Sequence, residues 1–185
     1  MSKEQPSSIE NAVQQLRLGN IIGYPTEAVY GLGCDPFNEQ AFEKLLHVKH
    51  RPVEKGVILA AASIEQIEDL VRICGESWEQ QVRDSWPGPV TWVLPVRQSM
   101  PKWVTGGRET LAVRVSSHPT VKALCEAFNG PIVSTSANPS GKEPARSYAE
   151  VKNYFGNRFD CIDAPLGELS EPTQIWDAQT RKRLR

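Results

Sequence analysis

The stretch that decides the fold is Ile21-Ile22-Gly23-Tyr24-Pro25-Thr26-Glu27-Ala28-Val29-Tyr30-Gly31-Leu32-Gly33. Ile21-Ile22-Gly23-Tyr24 has the character of a short buried strand. Pro25 removes a backbone donor and stops it. Beyond it, Gly31-Leu32-Gly33 and then Asp35-Pro36 read as a loop of turn-forming residues. In α/β sheets, loops beyond strand ends commonly bind ligands. The glycines would permit close backbone approach there, and they equally suit an ordinary turn.

Working outward, helices and strands are interspersed on both sides. Upstream, Ser7 and Glu10 stand three apart as a capping box. Ile9, Ala12, Val13 and Leu16 follow at helical spacing, and Gly19 suits the exit. Downstream, Phe42, Leu45 and Leu46 mark a helix from Glu39 to Lys49, and Val57–Ala61 reads as a buried strand. Ile64, Ile67, Leu70 and Val71 predict a third helix. Trp78 and Val82 predict a fourth, closed by Trp86-Pro87-Gly88-Pro89. Val90–Val96 and Leu111–Val115 are expected strands, separated by a loop containing Gly106-Gly107-Arg108. Val121, Leu124, Cys125 and Phe128 give a helix that stops at Asn129-Gly130. Pro131–Thr135 enters a strand, and Asn138-Pro139-Ser140-Gly141 turns the chain. Ser147 and Glu150 form a second capping box ahead of Val151, Tyr154 and Phe155. Thr173–Asp177 and Arg181–Arg185 suit two short strands. This pattern, without an internal repeat, predicts an α/β fold with helices packed on a mixed sheet.

The 185 residues make most simply one domain, and the length also accommodates two small ones. It buries a sizeable core without staples. An apolar fraction of 39% and a charged fraction of 23% fit an ordinary soluble globular protein. With a net charge of −1, global attraction to nucleic acid does not dominate, so any polyanion must meet a local basic patch. Cys34, Cys74, Cys125 and Cys161 include no Cys-x-x-Cys pair. His47, His50 and His118 lie near none of them at zinc spacing, so no metal site is expected. Residues 1–8 are polar, which argues against a secretory leader. No apolar stretch approaches the roughly 20 residues of a membrane helix. Reduced thiols and a cytoplasmic location are the expectation.

Three clusters carry chemistry. In Lys49-His50-Arg51-Pro52-Val53-Glu54-Lys55, Pro52 disfavours helical geometry at Arg51, so the helix ends there. An extended exit puts Lys49 and Arg51 on one face. With Lys55, they offer three cations to a phosphate chain, Arg51 gripping two oxygens at once. The same cations would also complement the helix dipole. In Ser134-Thr135-Ser136-Ala137-Asn138, alternation places Ser134, Ser136 and Asn138 on one face. Their hydroxyls and amide suit phosphate, ribose or a base edge. Asn-Pro and Ser-Gly also favour a plain turn after the strand. Arg114 interrupts the apolar strand Leu111-Ala112-Val113-Arg114-Val115. Buried there, its charge needs an anionic ligand or an internal carboxylate. No phosphate-loop motif, dinucleotide fingerprint or kinase signature is present, and a Ser-His-Asp triad is poorly supported, since His118 directly precedes Pro119 and no nucleophile elbow appears.

Together these segments resemble the YrdC-like family of L-threonylcarbamoyl-AMP synthases. The motifs that carry the resemblance are Tyr24–Gly33 (YPTEAVYGLG), Lys49–Pro52 (KHRP), Lys55-Gly56, Trp86–Thr91 (WPGPVT), Ala112–Val115 (AVRV) with His118-Pro119, and Ser134–Asn138 (STSAN). Their order and spacing match over nearly the whole chain, residues 5–185, as in the short single-domain bacterial form. The resemblance implies one α/β domain with a twisted mixed sheet, flanked by helices, around a concave basic cavity. It implies a nucleotidyltransferase that converts ATP, accompanied by Mg²⁺, L-threonine and bicarbonate or CO2 into threonylcarbamoyl-AMP and diphosphate. That product serves N6-threonylcarbamoyladenosine formation at position 37 of tRNAs reading codons that begin with A, with transfer by separate partner proteins and at most weak tRNA contact.

Carried over residue by residue, the resemblance puts Lys49, Arg51, Lys55, Thr110, Ser136, Asn138 and Arg185 at ATP, with Lys49 and Arg51 catalytic. Arg114, Ser134 and Thr173 fall at threonine, and no protein metal site is implied. Two positions depart from the longer relatives. Ala28 stands where they have a second threonine, and Ala60 corresponds to a histidine that assists threonine binding. The short branch shares Ala28. A different class of function, a structured-RNA binding module in RNA or ribosome maturation, rests on Lys44, Lys49, Arg51 and Lys55 plus Arg181-Lys182-Arg183-Leu184-Arg185. Near-neutral net charge and the lack of an RNA-binding motif weigh against it.

Overall fold

Ile22–Pro25 forms the first strand, β1, and Tyr30–Gly33, expected from its glycines to be a loop, forms the second, β2. The computed structural model describes residues 7–98 and 100–185. The opening residues of the domain expected over 5–185, and most of the polar segment 1–8, lie outside them. β1 and β2 pair antiparallel, with Gly33 opposite Ile22. A Cβ at Gly33 would stand 2.5 Å from the Val133 carbonyl oxygen and 2.9 Å from the Tyr24 ring. Glycine is therefore in this strand because a backbone and a ring pass close to it, a packing demand that overrides its poor strand preference.

The other strands are β3 (Ile58–Ala61), β4 (Val90–Pro95), β5 (Thr110–Val115), β6 (Ile132–Ser136), β7 (Asp160–Cys161) and β8 (Gln174–Asp177). They join one mixed sheet in the order β7-β1-β2-β6-β3-β5-β4-β8. β7 has no counterpart in the sequence reading. Arg181–Arg185, expected as a strand, pairs with β8 through an isolated antiparallel bridge from Arg183 to Trp176, flanked by backbone hydrogen bonds from Asp177 N to Lys182 O, from Leu184 N to Ile175 O and from Ile175 N to Arg185 O, without becoming a strand of its own.

The helices are α1 (Ile9–Arg17), α2 (Glu39–Lys49), α3 (Glu79–Ser85), α4 (Lys102–Thr105), α5 (Pro119–Phe128) and α6 (Tyr148–Phe155). Ser8, not Ser7, caps α1, its hydroxyl accepting from Asn11 N. At α6 the box is shifted. Ser147 accepts from Glu150 N, and the Glu150 carboxylate accepts from Arg146 N, one residue earlier than expected. The helix predicted from Ile64 to Val71 is only a 3-10 turn, Ile64–Gln66, followed by further turns. Gln66 explains the shortfall in part: its side chain accepts from Ala62 N and donates to Cys125 O. Arg72 N then donates to Pro95 O, drawing the chain to the end of β4.

The sheet has two unlike faces. On one, Phe42 and Leu45 of α2 and Val151 and Phe155 of α6 belong to the core that includes Leu59, Val113 and Val133. On the other, Ala12, Val13 and Leu16 of α1 and Val121, Leu124 and Cys125 of α5 cover Ile22, Tyr24, Ala60 and Ile132. Strand alternation puts Ile58, Ala112, Ser134 and Ser136 on this second face as well. These residues line a cavity instead of meeting a helix. The site is the part of the sheet that α1 and α5 leave uncovered.

Candidate functional site

The cavity has a volume of about 570 Å³. Sheet register sets its floor. Ser134 on β6 lies opposite Ile58 on β3, which lies opposite Ala112 on β5. Arg114, two residues along β5, is in register with Ala60. Thr110 lies two residues the other way, toward the Ser136 end of β6. Thr110 and Arg114 therefore mark two ends of the floor, separated by four residues of strand, roughly 13 Å.

Arg114 is only 4% exposed. Its Nη1 donates to Thr173 Oγ1 at 2.8 Å, and its Nη2 stands 3.4 Å from Glu27 Oε2. Its Nε has no protein partner. Glu27 is also buried, and its Oε1 accepts from Ser116 Oγ at 2.6 Å. Ser116 Oγ accepts in turn from His118 N at 3.1 Å. His118 is held as a neutral ring: burial is the main cause that lowers its pKa. Nδ1 accepts from Thr120 N and caps α5, so Nε2 carries the proton and donates to Pro165 O. The internal carboxylate that Arg114 called for is thus Glu27, which sequence reasoning left without a role although it lies within the quoted YPTE run.

At the other end, Arg51 Nη2 donates to Gly56 O at 3.0 Å, and burial lowers its pKa. Lys55, Thr110 and Ser136 also line the cavity. So does Arg108, another residue without an assigned role. It ties the 53–56 turn to α4 through bonds from Nη2 to Glu54 O at 2.7 Å and from Nη1 to Thr105 O at 3.5 Å. Arg185 lines the cavity from the tail, on the Arg114 side, where it donates through Nε and Nη2 to Thr173 O at 3.3 and 3.0 Å. Burial, then the nearby Arg114, lowers its pKa.

Two motif residues stand behind the wall. Lys49 is 3% exposed. Its Nζ donates to the carbonyl oxygens of Ser136 and Asn138. Burial first, and Arg51 second, push its pKa down to about 7. The shared face expected for Lys49 and Arg51 does not form, because Lys49 is still the last residue of α2 and His50 follows with φ 51°. Asn138 Nδ2 donates to Pro139 O and Lys142 O, shaping the turn after β6. Ala28 lines the cavity, whereas Ala60 is packed under α5.

This arrangement sets an arginine held by a carboxylate at one end of a cavity and several cations at the other. It suits a ligand with a small carboxylate and a polyanionic tail. Residues 14–185 match the Sua5–YciO–YrdC family model, described as "Telomere recombination". The chain belongs to that family. The threonylcarbamoyl-AMP synthase of Halorhodospira halophila (strain DSM 244 / SL1) is 50% identical over 182 residues, which cover 98% of this chain and 95% of that protein. Among solved structures, P. abyssi Sua5 complexed with L-threonine superposes with a TM-score of 0.85 at 35% identity, over 91% of this chain and 50% of that one. E. coli YciO superposes at 0.78 and 27% identity, over 91% of this chain and 82% of that one.

Proposed function

We propose that this protein is a threonylcarbamoyl-AMP synthase. The observation that carries the reading is the two-ended cavity, with Arg114 roughly 13 Å along the strand from Thr110. Arg114, with Ser134 and Thr173 beside it, takes the threonine carboxylate. Arg51, Lys55, Thr110, Ser136 and Arg185 face ATP. Lys49 and Asn138 serve the nucleotide end by shaping the wall.

Threonine's amine, once neutral, attacks carbon dioxide, forming a C–N bond and releasing a proton to leave a carbamate. A carbamate oxygen then attacks the α-phosphorus of ATP. The bond from that phosphorus to the bridging oxygen of the β-phosphate breaks, and diphosphate leaves with the electron pair. Arg51 and Lys55 stabilise the charge that develops on the phosphates. Alignment and exclusion of water supply the rest, since both the carbamate and the mixed anhydride hydrolyse readily. Among the described residues no group of three or more His, Cys, Asp or Glu gathers to hold a metal. Mg²⁺ enters as part of the ATP substrate. The product passes to separate transfer proteins that modify adenosine 37 of tRNA, and the reading requires no more than weak tRNA contact with this chain. A cytoplasmic location belongs to this reading; among the described residues no helix is long and apolar enough to cross a membrane.

The test is incubation with ATP, Mg²⁺, L-threonine and labelled bicarbonate, followed by rapid mass spectrometry. Labelled threonylcarbamoyl-AMP that disappears when any one substrate is omitted supports the reading. No product from folded protein, under conditions where added product survives, refutes it.

A further inference from the structure

Glu27 is a buried carboxylate for which the reaction has no use. It is 5% exposed and does not line the cavity, although its neighbours Thr26 and Ala28 do. Its side chain points instead to β5 and the residue after it. Oε2 lies 3.4 Å from Arg114 Nη2, and Oε1 accepts from Ser116 Oγ at 2.6 Å. Its main chain is fixed as firmly. Leu169 N donates to Glu27 O at 3.1 Å, and a Cβ on Gly167 would come within 2.7 Å of the same oxygen. Glu27 is therefore a rigid group in a low-dielectric place, held from two sides by segments distant in sequence.

We propose that Glu27 is a positioning residue for amino-acid binding. It compensates the Arg114 charge and fixes the guanidinium in the orientation that receives the threonine carboxylate. The proposal rests on the reading that Arg114 binds that carboxylate. A guanidinium has five N–H donors. Thr173 takes one arm at 2.8 Å, and Glu27 stands at a longer 3.4 Å from the other. Nε has no protein partner, and neither has Glu27 Oε2 within hydrogen-bond geometry. The pair is close enough to neutralise and too loose to use up the guanidinium. A tight bidentate pair would have consumed the donors that a substrate needs. Without any carboxylate, the buried cation would be uncompensated whenever threonine is absent and would shift toward water or another anion. Ser116 completes the device. Its hydroxyl proton goes to Glu27 and its lone pair takes His118 N, so the Glu27 rotamer is referred to the capped start of α5.

The experiment uses the full chain and the variants Glu27→Gln, Arg114→Ala and the double variant. Glu27→Gln keeps size and shape, and a Glu27→Asp variant restores the charge if the amide is poorly tolerated. Threonine affinity by calorimetry and KM for threonine and ATP are measured beside thermal unfolding. Glu27→Gln is expected to weaken threonine binding roughly tenfold or more, with KM for ATP within about twofold, and Glu27→Asp to recover part of the loss. In the Arg114→Ala background the Glu27→Gln change is expected to have no further effect, because it acts through Arg114. A lower unfolding temperature with unaltered threonine affinity would overturn the proposal, as would an equal effect in both backgrounds. If Arg114→Ala binds threonine like the parent, the carboxylate reading itself fails. If Arg114→Ala loses threonine while Glu27→Gln keeps it, only the Glu27 proposal fails.

Discussion

Thr173 Oγ1 accepts from Arg114 Nη1 at 2.8 Å, joining the segment before β8 to the middle of the sheet. Thr173→Val keeps the shape of the side chain and removes the acceptor. One arm of Arg114 then swings free. KM for threonine is expected to rise roughly tenfold, the scale of one hydrogen bond to a charged group, while KM for ATP stays near the parent value. Steady-state kinetics with each substrate varied in turn checks it.

Arg51 is expected to matter for turnover more than for affinity. On the proposed reading Arg51 answers to developing phosphate charge, so Arg51→Ala should lower kcat roughly 10²–10³-fold. Circular dichroism must show the parent fold for the rate to count. Parent-like turnover in a folded variant would remove Arg51 from its assigned role.

Arg108 holds the 53–56 turn through Glu54 O at 2.7 Å. Arg108→Ala frees that turn and with it Lys55. KM for ATP is expected to rise several-fold to tenfold, and threonine binding, at the far end of the floor, is expected to be unaffected. Calorimetric titration with each ligand separates the two effects.

Lys49 gives a pH signature of stability. Its folded pKa is about 7, against an ordinary value of 10.5. Between those values the unfolded chain binds the extra proton and the folded chain does not, so stability from this group rises as pH increases through the window. Below pH 7 the full cost of burying the ammonium is present. The unfolding temperature of the parent should therefore gain on that of Lys49→Met between about pH 7 and pH 10. Parallel curves would show that the side chain does not titrate there. A neutral amine still has two N–H groups for the Ser136 and Asn138 carbonyls, so the clamp survives the proton's loss.

Gly33→Ala forces a methyl to within 2.5 Å of Val133 O. Overpacking of this kind costs about 1–3 kcal/mol. At roughly 2–4 °C per kcal/mol for a chain of this size, the melting temperature should fall by several degrees.

Much of this was legible because local signals and packing agree. The helix read as Glu39–Lys49 forms with those bounds, between the cap at Asn38 and left-handed His50. Gly31-Leu32-Gly33 misled, because glycine signals conformational freedom locally whereas here it makes room for Tyr24 and for a neighbouring backbone. Ile64–Val71 misled because burial at helical spacing is also met by successive turns when a side chain such as Gln66 bonds the main chain. The clusters around Arg51, Ser136 and Arg114 were visible as chemistry. Glu27 was visible only as a letter in a motif, since its meaning is its distance to Arg114, 87 positions away. Lys49 was visible as a charge, but not as a charge turned inward.

Four of the basic side chains in and behind the cavity wall share one habit. Arg51 donates to Gly56 O, Arg108 to Glu54 O, Arg185 to Thr173 O, and Lys49 behind them to Ser136 and Asn138 O. Peptide dipoles thus moderate their mutual repulsion while the chain folds. An arriving polyanion meets charges that are already gathered and aimed, with little side-chain freedom left to lose.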